Sequence, residues 1–221
     1  MTARVLIVDD HTVLSQALAD ALTLHGISEV QVAAPHQLGG EALLTLARSL
    51  SPDVVLLDMF LGEGTKSTPL VPALRATGAA VVVLTASEDR MVWAEALEAG
   101  AVGVLPKSIA FNELVASVHR AAAGQTLMTG SERARLLDEL AHSRTADQER
   151  LRAFQRLSAR EQEVLEGLIA GRAAKQIARD LGVSLPTVRT HIRSLFDKLG
   201  VNNQRAAVTL ALGAGWKPDA G

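Results

Sequence analysis

Cysteine and tyrosine are both missing from this chain of 221 residues, and only 3% of it is aromatic. Without cysteine there can be no disulfide and no thiolate metal site. With so few rings, the cores must be built from Val, Leu, Ile and Ala. Long apolar runs are lacking as well. The longest, such as Ala79 to Leu84, have the length of a strand and fall far short of a bilayer span. No basic leader with a small-residue cleavage site precedes the first apolar segment, so the expected location is cytoplasmic, with no membrane partner. His25, His36, His119, His142 and His191 show no ligand spacing, which leaves zinc without support. The remaining composition, 48% hydrophobic and 21% charged, is that of a globular protein with one large domain or two small ones.

The net charge of −2 conceals an asymmetry. Residues 1–124 carry 7 Lys+Arg against 13 Asp+Glu, residues 125–156 carry 6 against 5, and residues 157–221 carry 9 against 6. Between Gly171 and Arg205, 7 basic residues face only Asp180 and Asp197. A basic C-terminal part is a cue for nucleic-acid binding, though a weak one alone.

Short Val/Ile/Leu-rich runs at Arg4–Val8, Glu29–Ala33, Val54–Leu57, Ala80–Leu84 and Val102–Leu105 alternate with helical patterns such as Val13–Leu24 and Glu41–Leu50. Such runs suit strands covered on both faces. The alternation predicts an α/β fold, a doubly wound five-stranded parallel sheet over residues 1–124. Residues 125–156 read as a helical linker: Leu136, Leu137 and Leu140 form one apolar stripe, and Leu151 with Phe154 a second. A dimerising coil is the alternative for that stretch. From Leu157 to Gly213 every pattern is helical, predicting an all-α domain, followed by a tail at 214–221. Ser158-Ala159-Arg160-Glu161 has the form of a capping box, and Ser184 caps a further helix that tolerates Pro186 in its first turn.

Doubly wound sheets carry their chemistry outside the carboxyl ends of the strands. Asp9 and Asp10 follow the first strand there, and Asp58 follows the third. Three neighbouring carboxylates repel one another unless a cation intervenes, and an all-oxygen set with room for water suits Mg²⁺. Thr85 ends the fourth strand and Lys107 lies just past the fifth. A hydroxyl and an ammonium beside a carboxylate–Mg²⁺ site make a receptor for phosphoryl oxygens. Asp58 is then the nucleophile, able to carry an acyl phosphate.

Residues 1–124 resemble the CheY-like receiver domains of bacterial two-component signalling. The resemblance rests on Val8-Asp9-Asp10-His11, Leu56-Leu57-Asp58, Leu84-Thr85-Ala86 and Gly100-Ala101-Val102-Gly103-Val104-Leu105-Pro106-Lys107. It implies Mg²⁺ on Asp10, Asp58 and the main-chain carbonyl of Phe60, with Asp9 in support, and Thr85 and Lys107 on the phosphoryl group. Two positions depart from the family. Val104 stands where an aromatic switch residue is usual, and Gly62, in the loop Gly62-Glu63-Gly64-Thr65, stands where proline is usual. His11 either holds the loop or only starts a helix; the second is the expectation.

In the C-terminal part, a short helix with Ile177, Ala178 and Leu181, a turn at Gly182-Val183 and a capped second helix make a helix-turn-helix arrangement. Along Leu185–Leu199, Val188, Ile192, Leu195 and Leu199 form a core stripe. Arg189 and Arg193 share a second face with Thr190 beside them, and Thr187, His191, Ser194 and Lys198 occupy a third. Lys175, Ser184 and Thr187 are placed to anchor a DNA backbone, and the arginines to reach guanine edges. Residues 157–213 resemble the LuxR-type helix-turn-helix of the NarL/FixJ class of response regulators. The match runs through Leu157-Ser158-Ala159-Arg160-Glu161-Gln162-Glu163-Val164-Leu165, Lys175-Gln176-Ile177-Ala178, Ser184-Leu185-Pro186-Thr187-Val188-Arg189-Thr190-His191 and Lys198-Leu199-Gly200-Val201. Ala174 replaces an asparagine usual in the family. The resemblance implies base contacts from Arg189, Thr190 and Arg193, and a homodimer contact through the helix at Asn203–Leu212.

The combined expectation is a DNA-binding regulator, not an enzyme, switched by a partner sensor histidine kinase that phosphorylates Asp58. One competing reading keeps the DNA module and makes the receiver phosphorylation-independent. A hydrolase using Asp58 is disfavoured because Phe60 stands where a general acid would be needed. A nucleotide-binding enzyme is disfavoured because the first strand ends in Asp-Asp rather than a glycine loop.

Overall fold

Apolar strands that must be covered on both faces dictate the first part of the molecule. The computed structural model describes residues 3–62 and 64–216, so Glu63 and the part of the expected tail beyond Trp216 lie outside the described residues. Strands form at β1 (Arg4–Val8), β2 (Glu29–Val32), β3 (Val54–Asp58), β4 (Phe60–Leu61), β5 (Thr65–Lys66), β6 (Ala80–Thr85) and β7 (Gly103–Pro106). Five of them make one parallel sheet in the order β2-β1-β3-β6-β7. The central β3 and β6 are buried along their whole length, whereas the edge strand β2 alternates half-buried and exposed.

Helices α1 (Thr12–Leu24), α2 (Gly40–Leu50), α3 (Val71–Arg75), α4 (Arg90–Glu98) and α5 (Phe111–Ala122) cover the two faces. Leu43 and Ala47 of α2, Leu74 of α3 and Leu97 of α4 pack on one side with Leu57 and Val83. Leu22 of α1 and Leu114 and Val118 of α5 pack on the other with Leu56 and Val82. Every crossover therefore returns the chain to the same end of the sheet, where β1, β3, β6 and β7 deliver their carboxyl ends. The doubly wound five-stranded sheet is as expected.

One element was not anticipated. Just after β3, β4 and β5 pair antiparallel as a small hairpin. Gly62 at φ +59° and Gly64 at φ +78° allow this reversal, in a region that side chains with a Cβ rarely enter. Two-residue strands carry no periodic signal, so the sequence pattern is silent about them.

The chain divides into two compact units, residues 1–140 and 141–221. The dividing point falls inside α6 (Gly130–Gln155), a helix of 26 residues. Its two apolar stripes are used separately. Leu136 and Leu140, 1% and 4% exposed, join the first unit's core. Arg133 donates to the carbonyls of Ala101 and Leu97 at 3.0 and 2.6 Å, the latter in the last turn of α4. Phe154 is buried in the second unit's core, while Leu151 stays exposed.

That second core is made by α7 (Ala159–Ile169), α8 (Ala174–Asp180), α9 (Leu185–Leu199) and α10 (Gln204–Gly213). Local chemistry sets their starts. Ser158 and Glu161 form the reciprocal capping box of α7. Ser184 accepts from the Thr187 N–H at 3.3 Å to start α9, and Asn203 accepts from the Ala206 N–H at 2.8 Å to start α10. Gly167 lets α8 lie close on α7, since a Cβ there would stand 2.7 Å from Ile177 Cγ1. Among the described residues no helix is long and apolar enough to cross a membrane.

If α6 is anchored through Leu136, Leu136→Ala should destabilise the first unit by about 2–4 kcal/mol, measured by denaturant unfolding. A loss under about 0.5 kcal/mol, the scale of a surface substitution, would mean that α6 does not pack there.

Candidate functional site

Asp9 and Asp10, just beyond β1, and Asp58, at the end of β3, meet in a carboxylate cluster, with Thr85 ending β6 and Lys107 just past β7. Asp9 and Asp58 are buried, at 6% and 5% exposure, and the Lys107 ammonium donates to Oδ2 of both, at 2.8 Å each. The backbone holds the lysine in place, because the Lys107 N–H donates to the Thr85 carbonyl at 2.7 Å and so continues the β6–β7 pairing. Asp10 Oδ2 accepts from the Gly62 N–H at 3.0 Å. Its other oxygen, Oδ1, is buried and accepts no hydrogen bond among the described residues. Phe60 enters the site through its main chain, with its N–H 3.4 Å from Asp58 Oδ1. Thr85 is fully buried, and its hydroxyl oxygen accepts from the Ser87 N–H at 3.0 Å.

Burial pushes the Asp58 carboxyl above its ordinary pKa; Lys107 opposes the shift, the Asp9 charge adds to it, and the net is upward. Asp9 is also pushed up by burial, but Lys107 and His11 outweigh that and hold it below the usual carboxylate value. Lys107 pays the opposite desolvation, and its two carboxylate partners still keep its pKa raised. The cluster thus has one well-held anion, Asp9, and one more basic carboxylate, Asp58, suited to nucleophilic attack.

His11 corrects an expectation. It does occupy the cap position of α1, but its side chain makes no cap hydrogen bond. The ring Nδ1 instead hydrogen-bonds Asp9 Oδ1 at 3.0 Å and approaches Asp10 Oδ1 at 3.2 Å. These contacts, Asp9's above all, raise its pKa. Ser67, which no sequence pattern singled out, donates its hydroxyl to the Asp58 carbonyl and is itself buried. Donor atoms of Asp9, Asp10, His11 and Asp58 all lie within 4.8 Å of one another.

In the second unit, α8 and α9 form the helix-turn-helix, with Gly182 between them at φ +65°. Lys175, Ser184, Thr187, Arg189, Thr190 and Arg193 are all exposed. Ser184 Oγ meets Thr187 Oγ1 at 2.7 Å, and Thr190 donates to the Pro186 carbonyl at 3.1 Å. Neither Arg189 nor Arg193 has a side-chain partner among the described residues, so both guanidiniums are free for an external acceptor. Val188, Leu195 and Leu199 are buried as the core stripe requires. The third face is not a uniform surface, however. Ser194 and Lys198 both donate to Glu161, each at 2.6 Å.

Two family models match this chain: the response regulator receiver domain over residues 5–119, and the bacterial regulatory proteins of the luxR family over residues 155–211. Transcriptional regulatory protein YdfI of Bacillus subtilis is 30% identical over 218 residues, 96% of either chain. Nitrate/nitrite response regulator protein NarP of Escherichia coli is 33% identical over 211 residues, covering 95% of this chain and 94% of that one. This chain is a two-component response regulator of the NarL/FixJ class. The crystal structure of the response regulator ChrA of a heme-sensing two-component system is also similar, at 29% identity, 96% and 97% coverage and a TM-score of 0.46.

The family is one of DNA-binding transcriptional regulators, not of enzymes. Within it, this response regulator's glycine at position 62 acquires a reason. A proline there would have no N–H to give to Asp10 Oδ2, and its φ is fixed near −65°, whereas Gly62 sits at +59°. Val104, at the other unusual position, is 5% exposed and packed in the core.

Glu161 of this response regulator was expected only to cap α7. It is in fact a buried hub, 3% exposed, that bonds the backbone and hydroxyl of Ser158 on one side and Ser194 and Lys198 of α9 on the other. Burial alone would raise its pKa; Lys198, Ser194 and Ser158 together lower it to about 2. A depressed carboxyl stabilises the fold above its unfolded pKa, and that contribution is lost as pH falls through the folded value. Stability of the second unit should therefore decline between about pH 5 and 2, by ~3 kcal/mol in all, and Glu161→Gln should flatten that decline. Urea unfolding across this range checks it; an equal pH slope in the variant would remove Glu161 from the account.

Proposed function

We propose that Asp58 receives a phosphoryl group from a sensor histidine kinase, with Mg²⁺ at the acidic cluster, and that the modified protein dimerises and binds paired DNA half-sites through α9. The observation that carries this reading is the buried Asp58 carboxylate gripped by Lys107 at 2.8 Å beside a buried Asp10 oxygen that accepts no hydrogen bond among the described residues. A buried acceptor without a hydrogen bond is costly; the His11 ring stands 3.2 Å from it, and a hard cation would complete its surroundings. Asp10 and Asp58 would hold the ion, with Asp9 and the Phe60 carbonyl in support. When bound, Mg²⁺ supplies charge screening between the attacking carboxylate and the phosphoryl oxygens.

The chain's own groups do the remaining work. Asp58 attacks phosphorus with a carboxylate oxygen, the P–N bond of the donor histidine breaks, and the imidazole leaves with a proton. Lys107 then trades its Asp58 contact for a phosphoryl oxygen, and Thr85 donates its hydroxyl to another. The product adds about −1.5 to −2 charges to the cluster. At the DNA end, Lys175, Ser184 and Thr187 meet phosphates, while Arg189, Thr190 and Arg193 face base edges. Dimerisation through α10 and a cytoplasmic location complete the reading.

Incubation with acetyl phosphate and Mg²⁺ should add one phosphoryl group to the wild type and none at the same site in Asp58→Asn, by mass spectrometry, and should strengthen DNA binding only in the wild type. Equal mass and equal DNA affinity in both would favour the phosphorylation-independent reading. Arg189→Ala should relax specificity at one base pair by about 1–3 kcal/mol. A uniform loss over all sequences would make Arg189 a phosphate contact instead.

A further inference from the structure

Thr85 has an acceptor's role in this structure and no donor's. Its hydroxyl oxygen takes the Ser87 N–H at 3.0 Å, and its own hydrogen has no acceptor among the described residues. The segment it holds is wired onward. The Ser87 carbonyl accepts from the indole Nε1 of Trp93, at 2.7 Å, and the Ser87 hydroxyl accepts from the Asp89 N–H at 3.2 Å. Asp89 in turn caps α4 by accepting from the Met91 N–H at 2.9 Å. Next to that cap, Arg90 reaches Glu139 of α6 with a two-pronged ion pair, Nε at 3.0 Å and Nη2 at 3.2 Å. A fully buried hydroxyl beside Asp58 is therefore linked by hydrogen bonds to the start of α4, whose first residue, Arg90, is ion-paired with the first half of α6.

Val104 offers no comparable link. It is a short aliphatic side chain packed in the core, with no polar atom and no ring to reorient. Trp93, by contrast, is half-buried against that same core and has a single N–H, which it spends on Ser87. Any movement of Thr85 toward an anion on Asp58 stretches its bond to the Ser87 N–H. Ser87 must then turn, and the indole must follow it or lose its only hydrogen bond.

We infer that Trp93 is the residue that couples the Asp58 site to α4 and, through Arg90 and Glu139, to the first half of α6. It is a positioning residue: it touches neither the phosphoryl group nor DNA. The inference rests on the phosphorylation proposed above, and it assigns the route rather than the modification.

The chain has only 2 tryptophans, and the second, Trp216, stacks on Phe154 in the other unit with ring centroids 5.9 Å apart. In full-length Trp216→Phe, Trp93 is the sole indole. Adding acetyl phosphate and Mg²⁺ should shift its emission in proportion to the phosphoryl mass gained, and Trp216→Phe combined with Asp58→Asn should show neither change. In a second arm, Trp93→Phe keeps the ring and deletes the N–H. It should gain the same phosphoryl mass as wild type, while the ratio of phosphorylated to unmodified DNA affinity shrinks by roughly fivefold or more. Failure to gain phosphoryl mass at all would sink the phosphorylation reading and this inference with it. A normal mass gain with unchanged Trp93 emission, or with the full affinity ratio kept in Trp93→Phe, would overturn the inference alone.

Discussion

The Lys107 ammonium, shared between Asp9 and Asp58, is the contact on which the first unit's chemistry depends. Two buried carboxylates side by side are unstable without a counter-charge, and removing one partner of such a set costs several kcal/mol. The lysine is the only cation hydrogen-bonded to Asp58 among the described residues, and it reaches the acids from a strand two places along the sheet from β3. Strand order and register are thus preconditions for the charge balance. Pairing of Asp58 with Leu84, and of Thr85 with Pro106, brings an acid, a hydroxyl and an ammonium to one level. A register slip would break up the set and turn apolar side chains to the wrong face.

The second unit solves a related problem on a smaller scale. Glu161 is buried at the start of α7 and is compensated by Lys198 and Ser194 of α9. The same α9 turns Arg189 and Arg193 outward with no partner among the described residues. One side of the helix is tied by charge to the body of its unit, and the opposite side keeps its charges for a partner. In both units a buried carboxylate fixes the element that presents the reactive groups, and the two networks are held within separate cores.

Much of this was written in the sequence in a form that one-dimensional reading can use. Asp9, Asp10, Asp58, Thr85 and Lys107 each follow or end an apolar run, so the sheet itself predicts their meeting. The cap at Ser158, the turn at Gly182 and the apolar stripe of α9 are likewise local signals. What escaped was non-local. The use of Glu161 depends on residues 33 and 37 positions away. Gly62 holds Asp10 across 52 positions, through a backbone N–H that no side-chain pattern advertises. His11 was underread because its cap position is visible in sequence while the direction of its ring is not. The hairpin at β4 and β5 is too short to leave a period.

The most direct test follows the carboxyl groups themselves, by carbon NMR of aspartate-labelled protein through a pH titration of wild type and Lys107→Met. In the wild type, Asp58 should titrate above an ordinary aspartate and Asp9 below it. In Lys107→Met both should move upward, Asp58 farther from its ordinary value than before. If neither carboxyl shifts when the ammonium is removed, the lysine does not balance the cluster, and the account of the site built on it is wrong.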